Sequence, residues 1–504
     1  MFMVIMGMAT AEKTSNTRLN TSYLAIVSVF FSVELVAGEW QFQPGLGLTE
    51  TLTNNIELNQ IDQQSSLVSQ FIIGADANYT SNKFNLNFSG TETLVDYSHK
   101  SELNDDYQTL QAYADYKLWQ DNLKLTANSA IKNIAKNNSK NSLGNLITAD
   151  TVQQTINSVG LQLNLKNSEY ILSSNLSYNI TETDDNIGES EGYTAIINSR
   201  NGNAVSDIFW QLDGQFIQRE NNNQTSENYQ IEAKIGAITT FKLNPFIRIY
   251  DEKITGTLVG ARPNAIPSWG PGLRYQVTKE LTIDVSYNYV NDESQVSDDY
   301  LAASVDWQPT SRTSLKASYS KRFFGDSYSV DFSHRNKRLN NVVTYQETIE
   351  NFSRNNFQLI DNQQTAPELV EDNEFSLNKR LAWQSQLSLV RTNFSLMVSN
   401  RDRESLSTGV IDNYLNSRLT MTRRLSVKSD LVIYLDYSKN TFDKDSPSGP
   451  RQDDTYKVIS TSYNKKLASS LSAFIAVQYV DRQSSIVDLT YNEGRVSINL
   501  TKDF

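Results

Sequence analysis

Leu281-Thr282-Ile283-Asp284-Val285-Ser286-Tyr287-Asn288-Tyr289 alternates without a break between apolar or aromatic residues and polar ones. Successive side chains of a strand point to opposite faces, so this stretch makes one greasy face and one wet face. The last segment repeats the pattern, with Val496, Ile498, Leu500 and Phe504 against Arg495, Ser497, Asn499, Thr501 and Asp503. Such a strand can cross a bilayer, with lipid on its outer face and water or polar filling on its inner face. The pattern recurs along most of the chain. The reading is all-β: a transmembrane antiparallel up-and-down β-barrel.

Short turns rich in Asn, Lys and Ser are expected near 81–83, 119–122, 166–169, 202–207, 242–245, 278–280, 308–313, 334–339, 379–386, 422–428 and 464–469. Longer polar stretches lie between them, as at 55–67, 98–105, 182–190 and 350–374. Short turns alternating with long loops is the periplasmic-versus-extracellular asymmetry of bacterial barrels. Eleven such turns separate twelve hairpins, which gives about 24 strands, within a range of 20 to 26. Basic pairs ending in leucine repeat in the C-terminal half: Lys337-Arg338-Leu339, Lys379-Arg380-Leu381, Arg423-Arg424-Leu425 and Lys465-Lys466-Leu467. Their leucines are 42, 44 and 42 residues apart, about one hairpin each. All nine prolines are expected in turns or loops, because a strand interior loses a hydrogen-bond donor at proline.

Residues 1–38 read as a signal peptide and 39–504 as the barrel. Lys13 and Arg18 precede an apolar stretch from Tyr23 to Val33, and Val36-Ala37-Gly38 offers small residues for cleavage. That stretch is well short of the ~20 residues of a spanning helix. The expected location is the cell outer membrane.

The 504 residues are 38% hydrophobic, with a mean hydropathy of −0.47. This is too polar for a helical membrane protein, whereas a barrel averages polar because half of each strand faces inward. There are no cysteines, which excludes a disulfide framework and thiolate-bound metal. The net charge of −12 argues against a nucleic-acid partner, which wants a basic face. Charge is also sorted, with basic short turns and acidic long connections such as Asp292, Glu293, Asp298, Asp299, Glu368, Glu371 and Asp372. Two readings of those acidic connections stay open: ordinary solvated loops, or loops that bind divalent cations beside lipopolysaccharide.

Trp40, Trp119, Trp210, Trp307 and Trp383 all fall beside expected short turns or the start of the barrel. Tryptophan settles at a bilayer interface because its ring is apolar and its tip polar. Phe504 with apolar residues at alternate positions before it is the shape of an assembly signal for the barrel-assembly machinery, although Lys502 interrupts the alternation. Phe323 and Phe324 are expected at the outer-leaflet interface, with Gly325-Asp326 closing a tight outer hairpin and Arg322 available to lipid phosphate.

Residues 307–338 contain Trp307-Gln308-Pro309-Thr310-Ser311-Arg312-Thr313-Ser314-Leu315, then Tyr319-Ser320-Lys321-Arg322-Phe323-Phe324-Gly325-Asp326-Ser327-Tyr328 and Ser333-His334-Arg335-Asn336-Lys337-Arg338. This region resembles the outer-membrane proteins associated with PEP-CTERM/exosortase systems, and Trp40 through Pro44 is similar to that family's first strand. The resemblance is diffuse over the mature chain. It implies an outer-membrane barrel connected with exopolysaccharide or surface-protein export. It implies no catalytic residues.

The residues themselves offer little chemistry. His99 and His334 are the only histidines; one falls in an expected surface loop and the other by a basic turn on the opposite side. No His-Glu-x-x-His or phosphate-binding glycine loop occurs. No enzyme, cofactor or metal is expected. Strands are expected to begin almost at once after Gly38, which leaves no room for the plug of a TonB-dependent transporter. Asn175, Ser177, Asn179, Asp284, Ser286 and Asn288 are expected to line the lumen as a polar, mostly uncharged surface. Amides and hydroxyls suit a passing carbohydrate, and equally suit simple hydration of a lumen. The first functional reading is a pore or channel for surface export, with exopolysaccharide-export components as partners beside lipid and lipopolysaccharide. The alternatives are a structural or anchoring barrel with a closed lumen, and a barrel hydrolase.

Overall fold

The computed structural model describes residues 38–136, 147, 151–222, 224–258, 264–291, 298–352, 357–358, 368–369, 374–442 and 452–504. The expected signal peptide lies outside these residues apart from Gly38, and so do Asp292, Glu293, Glu371 and Asp372 and most of 350–374.

Strands β1 to β6 are Glu39–Thr53, Ser66–Thr80, Phe84–Tyr97, Asp105–Trp119, Leu123–Ala135 and Thr151–Lys166. Strands β7 to β12 are Tyr170–Thr183, Ser190–Asn201, Ile208–Asn221, Gln224–Ala237, Leu243–Gly256 and Ser268–Gln276. Strands β13 to β18 are Leu281–Val290, Tyr300–Thr310, Thr313–Arg322, Gly325–Arg335, Leu339–Glu350 and Ser376–Ser388. Strands β19 to β24 are Thr392–Ser405, Ile411–Ser426, Ser429–Phe442, Gln452–Lys466, Leu471–Ser484 and Tyr491–Asp503. Each pairs antiparallel with its sequence neighbours, and β24 returns to β1, from Gly45 opposite Asp503 to Thr53 opposite Arg495. The result is a closed ring of 24 strands with no free edge. A two-residue ladder, Phe357–Gln358 with Glu368–Leu369, stands apart from it.

Alternation decides which face meets what. On β13, Val285, Tyr287 and Tyr289 are exposed on the outside while Asp284, Ser286 and Asn288 are buried within. On β24, Val496, Ile498 and Leu500 face out and Arg495 faces in. An exposed apolar belt around a closed ring is stable only in lipid. The protein is an outer-membrane β-barrel. At one rim the connections are short, as at 81–83, 120–122, 311–312 and 427–428, and this rim is periplasmic by the asymmetry of such barrels. The other rim carries the longer ones, such as 54–65 and 485–490, although the Phe323-Phe324 turn is only two residues.

Four prolines depart from the expectation and lie inside strands: Pro44, Pro245, Pro271 and Pro309. Each sits where the ladder is interrupted on one side. The β24 pairing starts only at Gly45, and the β10 pairing of β11 ends at Phe246. The β12–β13 register skips from Trp269 to Gly272, and β14–β15 has a bulge between Trp307 and Thr310. The missing donor therefore costs no ladder bond. Two expected turns are also corrected. Lys379-Arg380 lies within β18, whose turn is at 389–391, and the turn expected at 242–245 is at 238–242. A charged pair does not end a barrel strand, because one of its members can point into a wet lumen.

Towards the long-loop rim the inner wall is not uniformly polar. Tyr250, Ile254, Ile266, Tyr300, Phe323, Phe352 and Phe375 form one buried cluster inside the ring. Ile56, Val68, Val95, Tyr97 and Tyr107 form a second, and Tyr456, Val458, Val480 and Tyr491 a third.

Candidate functional site

The expected lining residues all lie on inward faces. Asn175, Ser177 and Asn179 alternate with the outward Leu176, and the Asn179 amide donates to Ser177 Oγ and Thr194 Oγ1, both at 3.2 Å. Asp284, Ser286 and Asn288 are brought together with residues that the sequence reading did not single out. Arg274 holds Asp284 in a bidentate pair, Nε to Oδ1 and Nη2 to Oδ2 at 2.8 Å each, while Lys234 Nζ donates to Oδ2 at 3.2 Å. Arg248 Nε donates to Glu232 Oε1 at 2.8 Å, and its two terminal nitrogens reach Asn288 Oδ1, Tyr300 OH and Ser320 Oγ at 3.1–3.2 Å. The lining here is charged, which corrects the mostly uncharged surface expected from the amides and hydroxyls.

Register explains the gathering. Lys234 and Arg248 are cross-strand partners on β10 and β11, and Arg274 and Asp284 are partners on β12 and β13. Four adjacent strands thus present their charges at neighbouring heights. Aromatic rings support the cations: Arg274 lies over Phe209 at 4.1 Å, and Phe209 meets Phe246 edge-on at 6.2 Å. Gly272 makes room for that arrangement, because a Cβ there would meet the Phe246 ring at 2.4 Å. Glu232, Lys234, Phe246, Arg248, Arg274 and Asp284 line a cavity of about 760 Å³. Paired charges of this kind fix side-chain geometry more than they add stability. The signal that could have revealed them is a cation at an inward position of each neighbouring strand, legible only once the register is known.

Above this lattice, the β15–β16 tip turns inward. Arg322 Nε donates to both Glu252 carboxylate oxygens at 3.0 and 3.1 Å, and Nη1 donates to Glu347 O at 3.0 Å. Phe323 is fully buried in the first cluster, with Phe324 packed against it at 5.2 Å between ring centroids. This corrects the placement of Phe323 and Phe324 at the lipid interface and of Arg322 beside lipid phosphate. A hairpin tip with a buried carboxylate within reach satisfies its arginine there.

Trp40, Trp119, Trp307 and Trp383 are exposed on the outer face, and Trp210 is half-buried there with Nε1 donating to Ser199 Oγ at 3.2 Å. Trp269, which the sequence reading did not remark, joins Tyr287 and Tyr289 in a further outward aromatic group towards the long-loop rim. Phe504 is exposed, its backbone N–H donates to Pro44 O at 2.9 Å, and Lys502 Nζ lies 4.5 Å from its ring centroid. His99 lies in the β3–β4 connection, whereas His334 Nδ1 lies 2.8 Å from Thr313 Oγ1 near the opposite rim.

No protein-family model and no curated protein matches the chain. Among solved structures it is similar to the FrpB iron transporter from Neisseria meningitidis, at 9% identity over 92% of this chain and 82% of that one, with a TM-score of 0.45. It is also similar to a mutant of the ferric enterobactin receptor PfeA from Pseudomonas aeruginosa, at 10% identity, 92% and 80% coverage and a TM-score of 0.44. A loop-deletion mutant of OmpT, an outer membrane protein of Vibrio cholerae, gives 10% identity, 93% and 100% coverage and a TM-score of 0.34. Scores this low carry no argument about function.

Proposed function

We propose that this barrel is a passage through the outer membrane for a hydrated polar polymer, serving exopolysaccharide or surface-protein export of the PEP-CTERM/exosortase kind that the sequence resembles. The observation that carries this reading is the charged and hydroxyl-rich cavity on the inner wall of β7–β16, whose side chains are held in place by one another. Fixed donors and acceptors along a wet wall offer many exchangeable contacts, which suits transit. Its partners on this reading are lipopolysaccharide, the barrel-assembly machinery and the inner components of the export system. The protein acts without catalysis; His99 and His334 lie near opposite rims and do not share a site. The test is single-channel conductance of the refolded mature chain, with and without added oligosaccharide. A large conductance reduced by sugar is the expected result, and a silent but folded barrel would overturn it.

The second reading is a structural or surface-anchoring barrel with a closed lumen. The three buried clusters inside the long-loop rim favour it, since side chains packed there narrow the way through. The same conductance measurement separates the two.

A further inference from the structure

We propose that the inner wall of β17–β20 holds a binding site for an acidic sugar, a saccharide unit that bears a carboxylate; the identity of the cargo, though not the site itself, rests on the export reading above. Arg380 on β18 and Arg401 on β19 are direct register partners, and both line a cavity of about 420 Å³. That size falls within the ~300–1,000 Å³ usual for small-ligand sites. Like charges directly opposite each other destabilise a strand pair. Other cations on this inner face have carboxylates beside them: Arg418 pairs with Asp436, and Arg403 approaches Asp412 at 3.9 Å. Arg401 instead lies over the Tyr414 ring at 4.3 Å, and among the described residues Arg380 has no ion-pair partner.

Two further groups point to an organic ligand. Asn378 sits two residues before Arg380 on the same face, is 2% exposed, and neither its amide nitrogen nor its amide oxygen has a hydrogen-bond partner. The buried Tyr414 hydroxyl is likewise unpartnered. Both line the same cavity, with Glu350 at its wall. Buried polar groups are seldom left unpaired, and a ligand's hydroxyls would satisfy them. An inorganic anion would answer the two guanidiniums and leave Asn378 and Tyr414 unmet. A neutral sugar would do the reverse. A carboxylate on a sugar ring answers both sets: the carboxylate between the paired guanidiniums, the ring hydroxyls on Asn378 and Tyr414.

Isothermal titration of the full folded chain in detergent with trigalacturonate, maltotriose and inorganic phosphate tests this. Trigalacturonate should bind about tenfold or more tighter than either of the others. Arg380→Gln and Arg401→Gln should each weaken it about tenfold or more, and Asn378→Leu should weaken it without abolishing the preference for acid. Heat-modifiable migration on a gel reports whether each variant is folded, and the comparison of ligands on the unaltered chain needs no variant at all. Maltotriose or phosphate binding as tightly as trigalacturonate, or undiminished trigalacturonate affinity in folded R380Q/R401Q, would overturn the site. A barrel that binds trigalacturonate but conducts nothing would refute the passage and leave the site standing. One that conducts but shows no such preference would do the opposite.

Discussion

Glu252 on β11 and Arg322 at the end of β15 form an ion pair inside the ring, 70 positions apart in sequence and four strands apart in the sheet. The Tyr250 hydroxyl donates to the same carboxylate at 2.7 Å. The pair ties the β15–β16 tip to the wall and carries Phe323 into the buried cluster.

Removing one partner strands a buried charge, which costs about 3–5 kcal/mol. Glu252→Ala or Arg322→Ala should therefore lower the denaturant midpoint of the folded barrel, and the double variant should recover part of the loss. Denaturant titration of gel migration reads this directly. A double variant as unstable as the sum of the singles would mean that the two residues act separately.

Asp284 is shared by Arg274 and Lys234. Asp284→Asn leaves Arg274 without this carboxylate and Lys234 with Glu232 alone, at 3.5 Å, so a conducting barrel should shift toward anions. The reversal potential in a salt gradient measures the shift, and an unchanged selectivity would place the lattice away from the ion path.

Gly272 lies under the Phe246 ring, and a Cβ at 2.4 Å forces one of them to move. Gly272→Ala should cost about 1–3 kcal/mol by overpacking, and Phe246→Leu in the same chain should relieve part of it. The denaturant midpoints of the single and double variants decide this.

Because the chain has no cysteine, single cysteines can map its orientation. Asn82→Cys in a short turn should react with a membrane-impermeant maleimide only after the outer membrane is breached. His99→Cys in a long connection should react in intact cells. The reverse pattern would invert the assignment of the two rims.

Strand type and number were legible because lipid and lumen enforce a period of two on every crossing, as at 281–289. Strand limits were less so. Lys379-Arg380 resembles a basic turn in sequence, yet Lys379 pairs with Glu404 and Arg380 turns into the lumen, so the strand runs on through both. Arg322-Phe323-Phe324 misled for the opposite reason: its aromatic pair looks like an interface anchor, and only the distant Glu252 shows that the tip folds inward. The charge lattice of Glu232, Lys234, Arg248, Arg274 and Asp284 depends on register between strands, which no single stretch of sequence contains. Alternation tells which residues face the lumen, and pairing tells which of them meet.

The β1–β24 seam has a consequence for synthesis. Thr51 Oγ1 lies 2.9 Å from Ser497 Oγ across it, 446 positions along the chain. The strand made first must wait for the strand made last, and until then it presents an unpaired row of backbone donors and acceptors. So distant a contact closes slowly by chance alone. Until the seam forms, β24 presents a second such row, and a single event, the pairing of β1 with β24, removes both.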